Sequence, residues 1–240
     1  MAAVYLIRHG QASFGKADYD QLSDKGTQQA NILGKHWQQL TTPDKIYSGD
    51  LLRHEQTTEN FLIGLNQGDF PVVTHSGFNE FNHIDVLTRY KPEWQNYRVM
   101  NAYLVQQADP KIALHLEFNN ALKRWISDDF QDEYQESWQQ FKTRCVNALN
   151  EIITQELAKQ KRANNPSKAN NILVFTSGGP ISVIIQHILM LTDQQGLMIN
   201  QQLRNTGVTK LLFSGDRLSV DYFNNYSHLD VKGDDWLTFR

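Results

Sequence analysis

Two arginines, one histidine, one glutamate and a glycine-rich turn are the residues of this chain that could do chemistry together. Arg8-His9-Gly10 follows the apolar run Ala3 to Ile7. An Arg and a His at the exit of a buried strand, with a glycine that lets the backbone turn, suit an anionic reacting group, because open α/β sheets bind ligands beyond the carboxyl ends of their strands. Ser177-Gly178-Gly179-Pro180 follows a second apolar run, Ile172 to Thr176. A strand, a turn of small residues and a helix start offer free N–H groups and a positive dipole end to a phosphate. The segment is no P-loop, since no Lys-Ser/Thr follows, and no dinucleotide fingerprint, since G-x-G-x-x-G is absent. Arg53 stands just inside a helix in Ser48-Gly49-Asp50-Leu51-Leu52-Arg53, and Glu80 follows a third strand in Asn79-Glu80-Phe81-Asn82-His83. Each feature alone also reads as a loop pair, a tight turn, a solvated helix arginine or a solvated carboxylate. All of them fall just after strands, on one edge of one sheet, and that coincidence points to phosphoryl transfer.

The elements that must position these residues alternate. The run Ala3 to Ile7 reads as a strand buried on both faces, which indicates a parallel sheet. Gly26 to about Leu40 is an amphipathic helix, with Ala30, Leu33, Trp37 and Leu40 at helical spacing and start signals in Ser23 and Asp24. Lys45 to Ser48 is a second strand; Asp50 caps the helix that follows, which ends in the Gly64 to Gly68 region. Val72 to Thr74 is a third strand. Three such alternations predict an α/β domain. Residues 81–135 break the rhythm. They are rich in aromatics, and Tyr90, Trp94, Tyr97, Met100 and Leu104 stand at approximate helical spacing, so the stretch reads as a helical insertion. Ser137 opens a long helix with a capping-box pattern and an apolar face of Trp138, Phe141, Cys145, Ala148, Ile152 and Leu157. A polar loop follows over Arg162 to Ser167. Ile181 to Leu191 is a buried helix with Pro180 in its first turn. Val208 to Phe213 and Leu218 to Phe223 form a hairpin around Ser214-Gly215-Asp216-Arg217.

Composition narrows the function classes. The chain has 240 residues, a net charge of −3 and no basic stripe, which argues against duplex nucleic acid or an anionic membrane surface as main partner. No apolar run approaches the roughly 18 residues of a membrane span. The start Met1 to Arg8 is too short an apolar stretch for a signal peptide. The single cysteine, Cys145, has no partner for an intrachain disulfide and fits a reducing compartment, so a cytoplasmic location is expected. No H-E-x-x-H, C-x-x-C or Asp-rich pattern marks a metal site.

Val4-Tyr5-Leu6-Ile7-Arg8-His9-Gly10-Gln11 resembles the signature of the histidine phosphatase superfamily, also called phosphoglycerate mutase-like. Leu22 to Ala30 is similar to its L-[ST]-x-x-G-x-x-Q-A helix start, Ser48 to Thr57 to its S-x-x-x-R-x-x-Q-T segment, and Asn205 to Leu211 to its late N-x-[SG]-[VI]-[ST] strand. The likeness runs from residue 3 to about 225, with 81–165 as a variable insertion. The resemblance implies a single α/β domain over 1–240. It would be a three-layer sandwich with a mostly parallel central sheet, helices on both faces, and a helical cap at 81–135 over the active-site edge. It also implies a phosphoric monoester hydrolase without a cofactor, acting on a small phosphorylated substrate. His9 would form a phosphohistidine that water then cleaves. Arg8 and Arg53 would clamp the phosphoryl oxygens and disfavour an imidazolium. Glu80 would protonate the leaving alkoxide and later activate water. Ser177, Gly178 and Gln11 would complete the phosphate contacts.

Two departures stand out. The family usually has a second histidine where this chain has Ser177. Ser can donate a hydrogen bond but carries no charge, and a missing charge-assisted bond is worth about 1.5–3 kcal/mol. The start Arg8-His9-Gly10-Gln11-Ala12-Ser13-Phe14-Gly15 resembles a bacterial branch that also carries T-S-G-G, which makes Ser177 a branch trait. The run Glu80 to Leu87 departs from the E-x-x-Y-G-x-L-x-G of glycolytic mutases, which favours phosphatase over mutase. A non-catalytic phosphate binder, motivated by Ser177, and a serine hydrolase built from Ser177, Asp221 and His228 are the rival readings. The latter fails the G-x-S-x-G test, because Phe175 takes the first glycine position. His54 and His83 adjoin site residues in sequence and are read as pocket-lining at most. The sequence leaves substrate and oligomeric state open.

Overall fold

The computed structural model describes residues 2–13, 20–162 and 170–239. In chain order its strands and helices are β1 (Ala2–Arg8), α1 (Asp24–Trp37), β2 (Lys45–Ser48), α2 (Leu52–Leu65), β3 (Val72–Thr74), α3 (His83–Tyr90), α4 (Tyr97–Leu104), α5 (Pro110–Trp125), α6 (Trp138–Arg162), β4 (Asn171–Thr176), α7 (Gly178–Leu189), α8 (Asp193–Gln202), β5 (Val208–Ser214), β6 (Arg217–Asn225) and α9 (Ser227–Asp230). The polar loop expected over 163–167 lies outside the described residues. The chain forms two compact units, one of residues 1–80 with 144–240 and one of residues 81–143.

The first unit holds a six-stranded sheet of order β3-β2-β4-β1-β5-β6. β1, β2, β3 and β4 run parallel, and β5 pairs antiparallel with both β1 and β6, so the sheet is mixed. Alternation explains its layers, since successive side chains of a strand face opposite ways. Ala3, Tyr5 and Ile7 join Leu33 and Trp37 of α1 and Phe61, Leu62 and Leu65 of α2 in one core. Trp37 meets Tyr5 edge-on at 5.0 Å and Phe61 at 5.8 Å, contacts worth about 0.5–1.5 kcal/mol each beyond burial. Val4, Leu6, Ile172 and Val174 are equally buried on the other face. There the Tyr47 hydroxyl donates to Gln155 Oε1 of α6. A central parallel strand needs both faces covered, and β1 and β4 have both covered, whereas the edge strand β3 is exposed.

Helix starts follow their capping chemistry, with one correction. Ser23 Oγ accepts from Gly26 N at 3.1 Å and opens α1. Asp50 does not cap α2. Asp50 and Asn79 bind each other instead, and the free N–H of Leu52 goes to Asp20 Oδ2 at 2.9 Å. α2 ends at Leu65, inside the expected Gly64 to Gly68 region. Asn66 closes it in the left-handed conformation, φ 59°.

In the second unit the expected run from Tyr90 to Leu104 is not one helix. Pro92 disfavours helical backbone at Lys91, so α3 stops at Tyr90. Asn96 then caps α4 by accepting from Arg98 N at 3.0 Å. Phe81, Trp125, Trp138 and Phe141 form the aromatic core of this unit. The Ser137 capping box is present: Gln140 N donates to Ser137 Oγ and Ser137 N to Gln140 Oε1. Glu117 accepts from Lys91 Nζ at 2.6 Å and from the Tyr103 hydroxyl at 2.7 Å. Burial pushes the Glu117 carboxyl up, but these hydrogen bonds outweigh it and hold the group below the usual range.

Candidate active site

Parallel register brings the site to one edge. Arg8 pairs with Thr176 and Ser48 with Phe175, so β1, β2 and β4 end side by side. His9, Gly49 and Ser177 are the residues that leave them. His9 N donates to Thr176 O at 2.9 Å and Gly49 N to Phe175 O at 3.0 Å. β5 runs the other way and starts opposite Ile7, which delivers the Asn205-Thr206-Gly207 loop to the same edge. Asn205 Nδ2 donates to His9 O at 3.0 Å, and Thr206 N to Arg8 O at 3.1 Å. Thr206 holds φ 54°, a costly conformation for a β-branched residue. Its backbone bond to Arg8 and a 2.9 Å contact between its hydroxyl and His228 Nε2 keep it there.

Glycine at position 10 has a steric cause. A Cβ there would lie 2.4 Å from Gly26 O, and one on Gly26 would lie 2.1 Å from Gln11 O. The histidine loop and the start of α1 therefore touch backbone to backbone. Gln11 braces this junction: its Oε1 accepts from Ser23 Oγ at 2.9 Å, and its N–H donates to the buried Gln29.

His9 is 7% exposed. Its Nδ1 lies 2.7 Å from Gly10 O, and a carbonyl only accepts, so the neutral ring carries its proton on Nδ1 and its lone pair on Nε2. Burial depresses the His9 pKa well below the ordinary value, and the guanidiniums of Arg53 and Arg8 and the ring of His54 add to the effect. The arrangement is a neutral imidazole within the field of two cations, suited to attack on an anion that those cations attract.

Arg8 and Arg53 are both nearly buried. Arg8 Nη1 donates to Leu203 O. Arg53 forms an ion pair with Asp20 through Nη1, and its Nη2 lies 3.4 Å from Ser177 Oγ. Glu80 is half-buried, and its Oε2 accepts from Gly179 N at 3.1 Å. The start of α7 is thus turned toward Glu80. Ser177 is fully buried and does not cap α7; its Oγ sits 2.6 Å from His54 Nε2. The edge of the sheet therefore gathers Arg8, His9, Arg53, Glu80, Ser177 and Gly178. Ser177, Asp221 and His228 do not form a triad, because Asp221 pairs with Lys210 at 2.7 Å and His228 with Thr206. Among the described residues no three His, Cys, Asp or Glu side chains come together as a metal-holding group.

The profile of the histidine phosphatase superfamily (branch 1) matches residues 4–113 and 107–226. The chain belongs to the histidine phosphatase superfamily. A phosphoglycerate mutase-like protein 4 of Arabidopsis thaliana is 24% identical over 97% of this chain and 89% of its own. A phosphoglycerate mutase from Bacillus anthracis shares the fold at a TM-score of 0.63 and 20% identity, covering 95% of this chain and 94% of that one. A phosphoserine phosphatase from Entamoeba histolytica, solved with phosphoserine, shares it at 0.61 and 20% identity, over 95% of this chain and all of that one. The profile carries the superfamily, and the likenesses to solved structures carry the fold.

Within this member of the superfamily, the sequence reading took His54 as pocket-lining at most and overlooked Asp20. His54 is fully buried, and its ring centroid lies 5.8 Å from that of His9. Asp20 holds both Arg53 and the start of α2. The only signal for His54 was its place directly after Arg53, and nothing in the local pattern marks Asp20.

Proposed function

We propose that this chain is a phosphomonoesterase that works through a phosphohistidine on His9. The observation that carries the reading is the neutral, buried His9 ring, its proton held by Gly10 O, in the field of the Arg8 and Arg53 guanidiniums. His9 Nε2 attacks phosphorus, and the P–O bond to the leaving alcohol breaks. Arg8 and Arg53 hold the equatorial oxygens and stabilise the charge of the transition state. Glu80 in its protonated form gives its proton to the departing alkoxide, then takes one from the water that cleaves the phosphohistidine. Gly178 and Gln11 belong to the phosphate-binding loops in this reading. The relative solved with phosphoserine supports a small phosphorylated substrate. Acid quench during turnover of labelled p-nitrophenyl phosphate should trap an acid-labile phosphate on His9. Turnover without any such adduct would refute the covalent route, and absence of turnover across a phosphomonoester panel would favour the phosphate-binder reading. The mutase-like relative motivates one control, transfer of phosphate to 3-phosphoglycerate, which is expected to be absent.

A further inference from the structure

We propose that His54 is a positioning residue that, together with Arg53, presets the Ser177 hydroxyl as a hydrogen-bond donor to an oxyanion at the His9 site. The inference rests on the phosphatase reading for the identity of that oxyanion, a phosphoryl group, but its geometry stands apart from any turnover.

The argument is one of hydrogen-bond polarity. Ser177 Oγ has two lone pairs and one proton. Arg53 Nη2, which can only donate, lies 3.4 Å away and takes one lone pair. His54 Nε2 lies 2.6 Å away, and its role depends on where the imidazole proton sits. Burial, and then Arg53, depress the His54 pKa well below the ordinary value, so the ring is neutral and carries a single N–H. His54 Nδ1 is buried and has no hydrogen-bond partner among the described residues. It packs on Gly49, where an added Cβ would lie 2.3 Å from it. A proton on Nδ1 would be an orphaned buried donor, the rarer kind of unsatisfied group. The proton therefore belongs on Nε2, and Nε2–H donates to Ser177 Oγ.

Both lone pairs of Ser177 are then occupied, and its proton has no acceptor among the described residues. It does not cap α7. The hydroxyl stands at the carboxyl end of β4, joined to His54, whose ring is 5.8 Å from that of His9. An oxyanion accepts hydrogen bonds and donates none, so a donor fixed before the ligand arrives needs no reorientation when charge develops. The opposite polarity, with His54 as a base that activates Ser177 as a nucleophile, would require the orphaned proton on Nδ1. Among the described residues no carboxylate hydrogen-bonds to Nδ1 to hold it.

The test uses the whole 240-residue chain. Heteronuclear NMR of the 15N-labelled wild type should show His54 protonated at Nε2 alone; the Nδ1–H tautomer would overturn the proposal without any variant having to fold. Orthovanadate affinity is then measured by calorimetry for His54→Phe, His54→Gln, Ser177→Ala and the double variant His54→Phe/Ser177→Ala. His54→Phe and Ser177→Ala should each weaken vanadate about five- to tenfold, the scale of one hydrogen bond. His54→Gln, which returns an N–H near Nε2, should recover most of the loss. The double variant should bind no worse than Ser177→Ala alone. Losses that multiply in the double variant, or no recovery in His54→Gln, would make His54 a packing residue. Fluorophosphonate labelling of Ser177 would establish the opposite polarity. Coupled vanadate binding without turnover of p-nitrophenyl phosphate would keep this inference and refute the phosphatase reading. Turnover through His9 with uncoupled binding would do the reverse, and no vanadate binding by the wild type would overturn both.

Discussion

His9 and His228 are both buried imidazoles on the same unit, and Thr206 touches both neighbourhoods. Their surroundings differ. His228 is pushed down to about 3 by burial and then by His36, whose ring is 6.1 Å away, and its Nε2 is taken by Thr206 Oγ1. His9 is depressed by burial and then by two guanidiniums, and its Nδ1 is held by a carbonyl, leaving Nε2 with its lone pair. A depressed pKa alone therefore does not mark a reactive histidine, since perturbed groups arise in structural networks too. What separates the two is the company of cations that would bind an anion.

The largest break in the comparison should come from His9→Ala. Turnover of p-nitrophenyl phosphate is expected to fall by on the order of 10³-fold or more, the scale of losing a nucleophile. His228→Gln should leave most of the turnover and lower the melting temperature instead. Comparable loss of turnover in both variants would erase the distinction.

Glu80→Gln comes next. It keeps shape and removes the transferable proton. Loss of about 10²–10⁴ in kcat/KM is expected with sugar phosphates and much less with p-nitrophenyl phosphate, whose leaving group needs little help. An equal loss across leaving groups would make Glu80 a partner of the Gly179 N–H and nothing more.

Acid stability sharpens the His228 side. Its folded pKa of about 3 lies below the unfolded value of about 6.5, so its contribution is complete above pH 6.5 and is lost as pH falls toward 3. At pH 5 the loss from this group is about 2 kcal/mol. His9 and His54 are shifted in the same direction. Urea unfolding at pH 7 and pH 5 should show that slope, and His228→Gln should flatten it. A slope unchanged in the variant would exclude His228 as its source.

Thr206→Val should have the smallest effect. It keeps the β-branched shape and removes the hydroxyl bonded to His228, a loss of about 1 kcal/mol by thermal melting. Because Thr206 N also holds Arg8 O, a larger loss of turnover than of stability would mean that the bracket positions the His9 loop.

The sequence by itself determined the α/β class, the strands and the edge on which Arg8, His9, Arg53, Glu80 and Ser177 gather. Those features depend on short-range patterns: apolar runs, cap residues and glycines at strand exits. The glycines of Arg8-His9-Gly10 and of the α1 start are legible too, although their cause, a backbone contact between positions 10 and 26, needs the fold. Local pattern misjudged the start of α2, because the oxygen that takes the Leu52 N–H belongs to Asp20 and arrives from 32 residues away. It read His54 as pocket-lining at most and missed its partner for the same reason. The 2.6 Å contact that ties His54 to Ser177 spans 123 residues of chain, and only the parallel pairing of β2 with β4 brings those two positions together. The tertiary structure also decided that Ser177 faces Arg53 and His54, that Asp221 and His228 go to other partners, and that Lys91 and Glu117 bind each other inside the second unit. Hydrogen-bond partners across elements depend on register and packing, which no window of neighbouring residues encodes, whereas the elements themselves follow from the periodicity of their own side chains.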